Sequence, residues 1–214
     1  KKRKRFFGEN PVSEAGLMSV NNQKERILTI EEEDLLLANA EEPLKSFIQI
    51  ALHTGLRLNS IRTLTWECID FSTNTITIEA TYSKNKKTHI VPMNTDIRKV
   101  LLENKLRCGS SEYVFPEFLK VTKTAISQRF KALCKKLGIK GIRFHDLRHT
   151  AATRMVESGI SIDKVSKILG HSSIQMTMRY SHPDNSLREA VESLADFRNS
   201  TTNTTTNKIL DDSN

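Results

Sequence analysis

Residues 144–155 read Phe-His-Asp-Leu-Arg-His-Thr-Ala-Ala-Thr-Arg-Met and have the spacing of an amphipathic helix, which we expect over 145–157 with Gly159 to close it. Apolar residues recur every three to four positions along it, at Phe144, Leu147, Ala151 and Met155. His145 and Arg148 are three residues apart, so they share a face about 100° away from this stripe. We therefore expect both side chains at the rim of the core. Taken alone, a His-x-x-Arg pair is more often an ordinary feature of a helix surface.

Helical patterns extend from this segment in both directions. Thr29 and Glu32 have the spacing of a capping box, which predicts a helix start at that point. Pro43 opens a second helix that Gly55 closes, and a further turn holds Leu58, Ile61 and Leu64. Other predicted helices cover 95–106, 123–137, 161–169 with Ser161 as N-cap, 172–180 and 183–197.

Between these helices the hydrophobic period changes to two. Short segments rich in β-formers span 66–70, 75–80 and 88–92, and polar residues 83–87 are typical of a turn. The pattern predicts a small antiparallel three-stranded sheet in a mostly helical domain of the α+β class. We expect an arm or interdomain linker over 1–26, one domain over 27–198 and a disordered tail over 199–214.

The charge distribution favours a nucleic-acid partner. The net charge is +8, and five basic residues open the chain. Residues 120–148 then contain nine Lys or Arg and one acid. A basic band of this kind suits a phosphate backbone, although a solvated helix face is the common alternative.

Other classes of protein are disfavoured. The three cysteines, Cys68, Cys108 and Cys134, are widely spaced, which argues against disulfides or a zinc site and for the reducing cytoplasm. No apolar run approaches the ~18 residues of a membrane span, and no secretory signal is apparent. We expect a cytoplasmic, DNA-associated protein.

Five motifs are weak separately but specific together. They are Leu52-His53-Thr54-Gly55-Leu56-Arg57, then Lys84-Asn85-Lys86-Lys87 leading to Val91-Pro92-Met93, His145 to Thr150, Leu169-Gly170-His171-Ser172, and Thr177 to His182. In order and spacing, over roughly residues 10–198, they resemble the catalytic domain of the tyrosine recombinase and integrase family. The resemblance implies the family's DNA breaking-rejoining fold and site-specific recombination of double-stranded DNA through a covalent 3′-phosphotyrosyl intermediate.

The resemblance also implies a role for each matching residue. Tyr180 is the nucleophile, Arg57 and Arg148 hold the non-bridging phosphate oxygens, and His171 adds a donor. Lys84 protonates the departing 5′ oxygen, with Lys86 as the alternative, and His145 acts on the tyrosine proton or holds the site together. No metal, other cofactor or small-molecule substrate is implied. The other histidines, His149 and His182, are interpreted as structural.

The chemistry suits these residue types. Attack on a phosphodiester adds charge to its equatorial oxygens, and a planar guanidinium can donate to them bidentately while staying charged. A phenol with a pKa of ~10 needs help to lose its proton. The alkoxide that leaves also needs a proton, which a lysine in a hairpin can supply.

Two points depart from the family pattern or extend it. An acidic residue often stands three positions after the first arginine, but here it is Ser60, which leaves the orientation of Arg57 open. Family members usually carry a separate DNA-clamping domain, of which we expect only the linker around Asn10-Pro11-Val12. Candidate DNA contacts are Arg5, Lys123, Gln128, Arg129 and Lys131.

Three hypotheses remain. The first is an active recombinase that assembles as a homo-oligomer, expected to be a tetramer, on DNA. The second is a non-catalytic DNA-binding module of the same fold, and the third is DNA relaxation of the type IB topoisomerase kind. Retention of the whole catalytic set and the Leu169-Gly170-His171 motif favour the first.

Overall fold

In a computed structural model of the chain, the structure describes residues 26–78 and 88–181. These residues form a mostly helical domain with one small sheet. The helices are α1 (Ile30–Asn39), α2 (Leu44–Thr54), α3 (Leu58–Arg62), α4 (Thr95–Cys108), α5 (Pro116–Leu119), α6 (Lys123–Lys136), α7 (Asp146–Glu157), α8 (Ile162–Leu169) and α9 (Gln175–Met178). The strands are β1 (Ile69–Asp70), β2 (Thr75–Ile78) and β3 (His89–Pro92).

Helix ends follow the capping signals in the sequence. Thr29 accepts from the backbone N–H of Glu32, and the Glu32 side chain accepts from the N–H of Thr29, which confirms the capping box. Gly55 closes α2 in the left-handed conformation, with φ 65°. Gly170 closes α8 in the same way, with φ 61°. These two turns place the residues that follow them beside α7.

The sheet has the predicted antiparallel order β1-β2-β3. Thr75 pairs with Pro92 and Ile78 pairs with His89, so Ile76 and Ile78 point into the core. The first predicted strand, 66–70, is wrong in its first three residues, because Trp66–Cys68 forms a 3₁₀ turn. There the Trp66 N–H donates to the Glu112 carbonyl and the Cys68 N–H donates to the Thr65 carbonyl, so neither N–H is available to β2.

Other element limits differ modestly from the predictions. Helix α4 continues to Cys108, the segment predicted over 172–180 is helical only over Gln175–Met178, and α5 was not anticipated. The predicted arm apart from Arg26, the turn at 83–87, the helix over 183–197 and the tail lie outside the described residues. No helix in the described part of the chain is long and apolar enough to cross a membrane. All three cysteines are free.

Two apolar clusters meet on α7. The larger centres on Phe47, whose ring lies 5.1 Å from Phe115 and 5.0 Å from Phe118, and it includes Leu147. The smaller contains Ala152, Val165, Leu169 and Tyr180. Helix α7 therefore lies between the main core and the segment that carries Tyr180, and its polar residues are buried in the contact.

Gly55→Ala is expected to lower the free energy of unfolding by about 2–4 kcal/mol. A Cβ at this position would lie 2.5 Å from Leu169 Cδ2, and φ is positive there. Gly138→Ala is the matched control, because φ is 75° but no atom lies within 4 Å of its Cβ position. Urea unfolding of both variants measures the difference. Equal losses would show that the α2–α8 contact adds nothing to the backbone penalty.

Candidate functional site

Arg148 lies buried at the point where α2 and α8 end. Its Nη1 donates to the Gly55 carbonyl at 2.7 Å and its Nη2 donates to the Leu169 carbonyl at 2.7 Å. Carbonyls at helix C-termini lack intrahelical partners and carry partial negative charge, so a guanidinium suits them. Arginine has five N–H donors, and the two used here leave others for a ligand. Burial, reinforced by the charge of Arg57, lowers the pKa of Arg148 to about 9, so it remains a cation at neutral pH.

Arg57 precedes α3 and brings a second positive charge to Arg148. Its side chain is half-buried, and burial lowers its pKa. Among the residues that the structure describes, no carboxylate forms an ion pair with Arg57 or Arg148. Ser60, which replaces the family's frequent acid, is buried on α3. Two neighbouring guanidiniums without a carboxylate partner repel each other, and an anion between them would relieve that repulsion.

His171 follows the turn at Gly170 and is held by α9. Its Nδ1 lies 2.7 Å from Thr177 Oγ1. Burial, together with the charges of Arg148 and Arg57, lowers the pKa of His171 to about 4. The ring is therefore neutral near pH 7. If the Thr177 hydroxyl donates to Nδ1, the Nε2–H of His171 is a donor directed away from α9.

Tyr180 is buried in the small cluster on α7, with 3% of its surface exposed. Its hydroxyl lies 2.6 Å from Nδ1 of His149, which is also buried. The phenolate form of Tyr180 raises the pKa of Arg148, so the Tyr180 phenol and the Arg148 guanidinium share one electrostatic environment. Sequence reasoning treated His149 as structural, because a histidine that directly follows Arg148 on an amphipathic helix gives no local signal of a partner 31 residues away.

His145 stands at the start of α7 and packs against His149. The two rings are 4.9 Å apart and nearly perpendicular. Part of His145 is exposed to solvent, yet desolvation, with the neighbouring charges of His149 and Arg148, lowers the pKa of its ring to about 4. His145 thus belongs to the same cluster as Arg148. The histidine that lies within hydrogen-bond distance of the Tyr180 hydroxyl is His149.

His89 was not singled out from the sequence. It lies on β3 and packs against Gly170, the glycine that ends α8. The two are so close that a Cβ on Gly170 would lie 2.7 Å from the His89 ring. Burial, with the charges of Arg148 and Arg57, lowers the pKa of His89. Neither ring nitrogen of His89 has a hydrogen-bond partner in the part of the chain that the structure describes.

The remaining candidates divide into two groups. Lys84, Lys86 and Arg5 lie outside the described residues, so their roles stay predictions. On and around α6, the side chains of Lys123, Gln128, Arg129 and Lys131 are exposed, as a surface contact requires. Within the described ranges no group of three or more His, Cys, Asp or Glu residues is arranged to hold a metal ion.

Acid is expected to destabilise the fold through two partly desolvated histidines, His145 and His171. His145 and His171 have folded pKa values of about 4, whereas an unfolded histidine titrates near pH ~6.5. Between those values the unfolded chain binds more protons, so the free energy of unfolding decreases as the pH falls. Thermal unfolding followed at about pH 7, 5.5 and 4.5 measures the decrease. His171→Gln should make it shallower, and an unchanged slope in that variant would contradict the assignment.

The cluster combines an anion-binding pair with a hydrogen-bonded phenol. The guanidiniums of Arg57 and Arg148 and the neutral rings of His145 and His171 lie around the C-terminal ends of α2 and α8. Tyr180 contacts α7, the helix that carries Arg148. Such a set can bind a phosphate diester and bring a tyrosine oxygen to it.

Comparison with protein families gives an independent result. The model of the phage integrase family matches residues 21–186. An integrase of Salmonella phage P22 is 32% identical over 172 residues, which cover 75% of this chain and 44% of the relative. A tyrosine recombinase XerA of Saccharolobus solfataricus is 34% identical over 138 residues, which cover 64% of this chain and 45% of the relative. The chain therefore spans about half the length of such curated relatives.

Solved structures agree in fold. The crystal structure of XerA recombinase superposes with a TM-score of 0.64 at 27% identity, over 78% of this chain and 64% of the other. The Tn1549 transposon integrase in complex with transposon right end DNA gives a TM-score of 0.69 at 22% identity, over 83% and 68% of the two chains. The second likeness concerns the fold alone. The predicted fold class, a mostly helical domain with a three-stranded antiparallel sheet, is confirmed.

Proposed function

The chain belongs to the phage integrase family of tyrosine recombinases, and on that premise we propose that it breaks and rejoins double-stranded DNA at specific sites. The observation that carries the proposal is the convergence of Arg148, Arg57 and Tyr180 at the ends of α2 and α8. A guanidinium pair without a carboxylate partner among the described residues favours binding of a DNA phosphate. The adjacent phenol favours formation of a covalent bond to that phosphate. The comparisons support recombination over DNA relaxation or simple DNA binding, because the matched relatives are called integrases and recombinases.

In the proposed reaction the Tyr180 oxygen attacks the scissile phosphorus and displaces the 5′ oxygen. Arg57, Arg148 and the Nε2–H of His171 donate to the non-bridging oxygens, where charge increases in the transition state. Lys84, with Lys86 as the alternative, donates a proton to the 5′ oxygen as it leaves. The phosphodiester bond energy is retained in the phosphotyrosine, so the reverse attack by a 5′-hydroxyl rejoins DNA without ATP.

We further propose that the chain acts as a homo-oligomer on DNA, with one chain for each strand that is cut. Exchange between two duplexes requires cleavage of four strands, and each chain offers one Tyr180, so a tetramer is the expected assembly. The domain limits of 27–198, a DNA-associated location in the cytoplasm, and DNA contacts by Arg5, Lys123, Gln128, Arg129 and Lys131 belong to the same proposal.

Covalent trapping tests the function. The substrate is a pool of nicked duplexes with randomised sequence around the nick, in which the fragment released by cleavage diffuses away and prevents rejoining. We expect a DNA adduct that survives denaturing electrophoresis, and proteolysis followed by mass spectrometry should place the DNA on Tyr180. Duplexes recovered from the adduct then identify the preferred site. A chain that binds this DNA without forming an adduct would instead be the DNA-binding module.

A further inference from the structure

We propose that His149 accepts the proton of the Tyr180 hydroxyl during DNA cleavage, an inference that rests on the proposed function. The contact that carries it is the 2.6 Å approach of His149 Nδ1 to the phenolic oxygen. This oxygen is the atom that would attack phosphorus. A group that touches it is therefore placed to act in the reaction itself.

Burial makes an acceptor inside the protein necessary. Tyr180 is 3% exposed and His149 is 6% exposed, so bulk water has little access to the phenolic proton. A phenol with an ordinary pKa of ~10 is a weak nucleophile at neutral pH unless its proton moves to a base as the new bond forms. The ordinary pKa of a histidine is ~6.5, close to the value that favours a general base at neutral pH.

The surroundings of His149 favour the neutral imidazole that this role requires. Among the described residues, the charged and titratable groups around it are His145, Asp146 and Arg148 near the start of its own helix, His171, Arg179 and Tyr180 on the segment after α8, and Arg57 near His145. Asp146 is the carboxylate in this set, and its charge is offset by the Arg143 guanidinium 2.9 Å away, so the described surroundings of His149 are cationic on balance. With the proton on Nε2, Nδ1 presents its lone pair to the Tyr180 hydroxyl, which then donates.

His145 is the less suitable base. Its ring packs against His149 with a centroid distance of 4.9 Å, and its pKa is lowered to about 4. A base of that strength gains little by taking a proton from a phenol. We assign His145 to positioning, since its ring limits the orientations that His149 can adopt.

The proton and electron balance is simple. The Tyr180 oxygen forms a bond to phosphorus while its proton passes to His149 Nδ1. The bond from phosphorus to the 5′ oxygen breaks, and that oxygen takes a proton from the hairpin lysine. In rejoining, the 5′-hydroxyl returns its proton to the lysine and the imidazolium of His149 returns its proton to the departing phenolate.

The decisive variant is His149→Asn. The Asn Oδ1 occupies nearly the position of the histidine Nδ1, so it can still accept the hydrogen bond but cannot take the proton. His149→Phe keeps a planar aromatic ring at this position and removes the acceptor. His53→Asn is the matched control, because exposed His53 also bonds through Nδ1, to Asn94 Nδ2 at 2.8 Å, on a different helix. Thermal unfolding first establishes which variants keep the fold, and either folded His149 variant suffices.

The measurement is the single-turnover rate of adduct formation on the site recovered from the randomised pool. The substrate carries sulfur in place of the scissile 5′ oxygen, because a thiolate leaves without protonation and the hairpin lysine then does not shape the pH profile. At neutral pH we expect His149→Asn to be about 10²–10⁴-fold slower than the wild-type chain. His149→Phe should be at least as slow, and His53→Asn should be unchanged.

The pH profile separates proton transfer from structure. Between about pH 6 and 8.5, the wild-type rate should level off once His149 is neutral, while the rate of His149→Asn should rise about tenfold per pH unit with the phenolate fraction. A rate for His149→Asn within about threefold of wild type at pH 7, or a deficit that is the same at every pH, would overturn the inference. In both cases the wild-type adduct still forms, so the proposed function stands. Absence of any wild-type adduct would overturn the function and this inference with it.

Discussion

Tyr180→Phe is expected to abolish covalent attachment of the chain to DNA while DNA binding persists. The substitution removes only the hydroxyl, so the apolar contacts of the ring with Ala152, Val165 and Leu169 are retained. The oxygen that is removed is the proposed nucleophile, so the ester to phosphorus cannot form at this residue. The substitution also removes the hydrogen bond to the buried Nδ1 of His149, which costs about 1–3 kcal/mol of stability.

Denaturing electrophoresis of the trapped complex measures the adduct, and a gel-shift assay measures binding. Tyr113→Phe is the matched control, because Tyr113 lies in the segment before α5 and bonds Ser111 through its backbone N–H and carbonyl. The control should form the adduct at the wild-type rate. Persistence of the adduct in Tyr180→Phe would mean that another residue is the nucleophile and would overturn the central assignment.

Arg148→Lys is expected to reduce adduct formation by at least about 10²–10³-fold and also to destabilise the fold. A lysine cannot present the planar fork that bonds the Gly55 and Leu169 carbonyls together. Those carbonyls then lack partners at buried helix ends, at a cost of about 1–3 kcal/mol each. The retained charge leaves DNA attraction largely intact, so the loss falls on the chemical step.

Arg57→Lys is the matched comparison. Arg57 makes no side-chain hydrogen bond within the described ranges, so its substitution should slow adduct formation with a much smaller change in the urea midpoint.

A mixture of the Arg148→Lys and Tyr180→Phe variants tests whether Tyr180 acts with the arginine pair of its own chain or of a neighbouring chain. Since Tyr180 contacts its own α7, we expect no recovery of adduct in the mixture. Recovery would mean that the nucleophile is exchanged between chains on DNA.

Much of the fold was predictable because its determinants are local. The capping box of Thr29 and Glu32 depends on residues three apart, and the left-handed turn at Gly55 depends on one residue that lacks a side chain. The period of two over 75–80 likewise predicted a strand, which the structure forms over Thr75–Ile78. The prediction of a strand over 66–70 was wrong where a distant carbonyl, that of Glu112, takes the Trp66 N–H and holds the segment in a turn.

The sequence predicted which residues belong to the site better than it predicted how they contact one another. Arg57, His145, Arg148, His171 and Tyr180 were named from motif order and spacing, and the structure brings all five together, although their catalytic roles remain proposals. His89 gave no signal, because its proximity to Arg148 and Gly170 depends on how β3 packs against α8. Spacing along a helix could indicate that His149 faces inward but could not name its partner.

The sequence by itself determined the family, the fold class and the list of reactive side chains, since these depend on short local patterns and on the order and spacing of five motifs along the chain. Only the tertiary structure decided which atoms meet: Arg148 with carbonyls 93 and 21 residues away, and Tyr180 with His149 rather than His145. The physical reason is that a helix turn sets hydrogen bonds three or four residues apart. Contacts between α2, α7 and α8 depend instead on the packing of whole helices, in which a shift of about one helical turn along α7 would exchange His149 for His145.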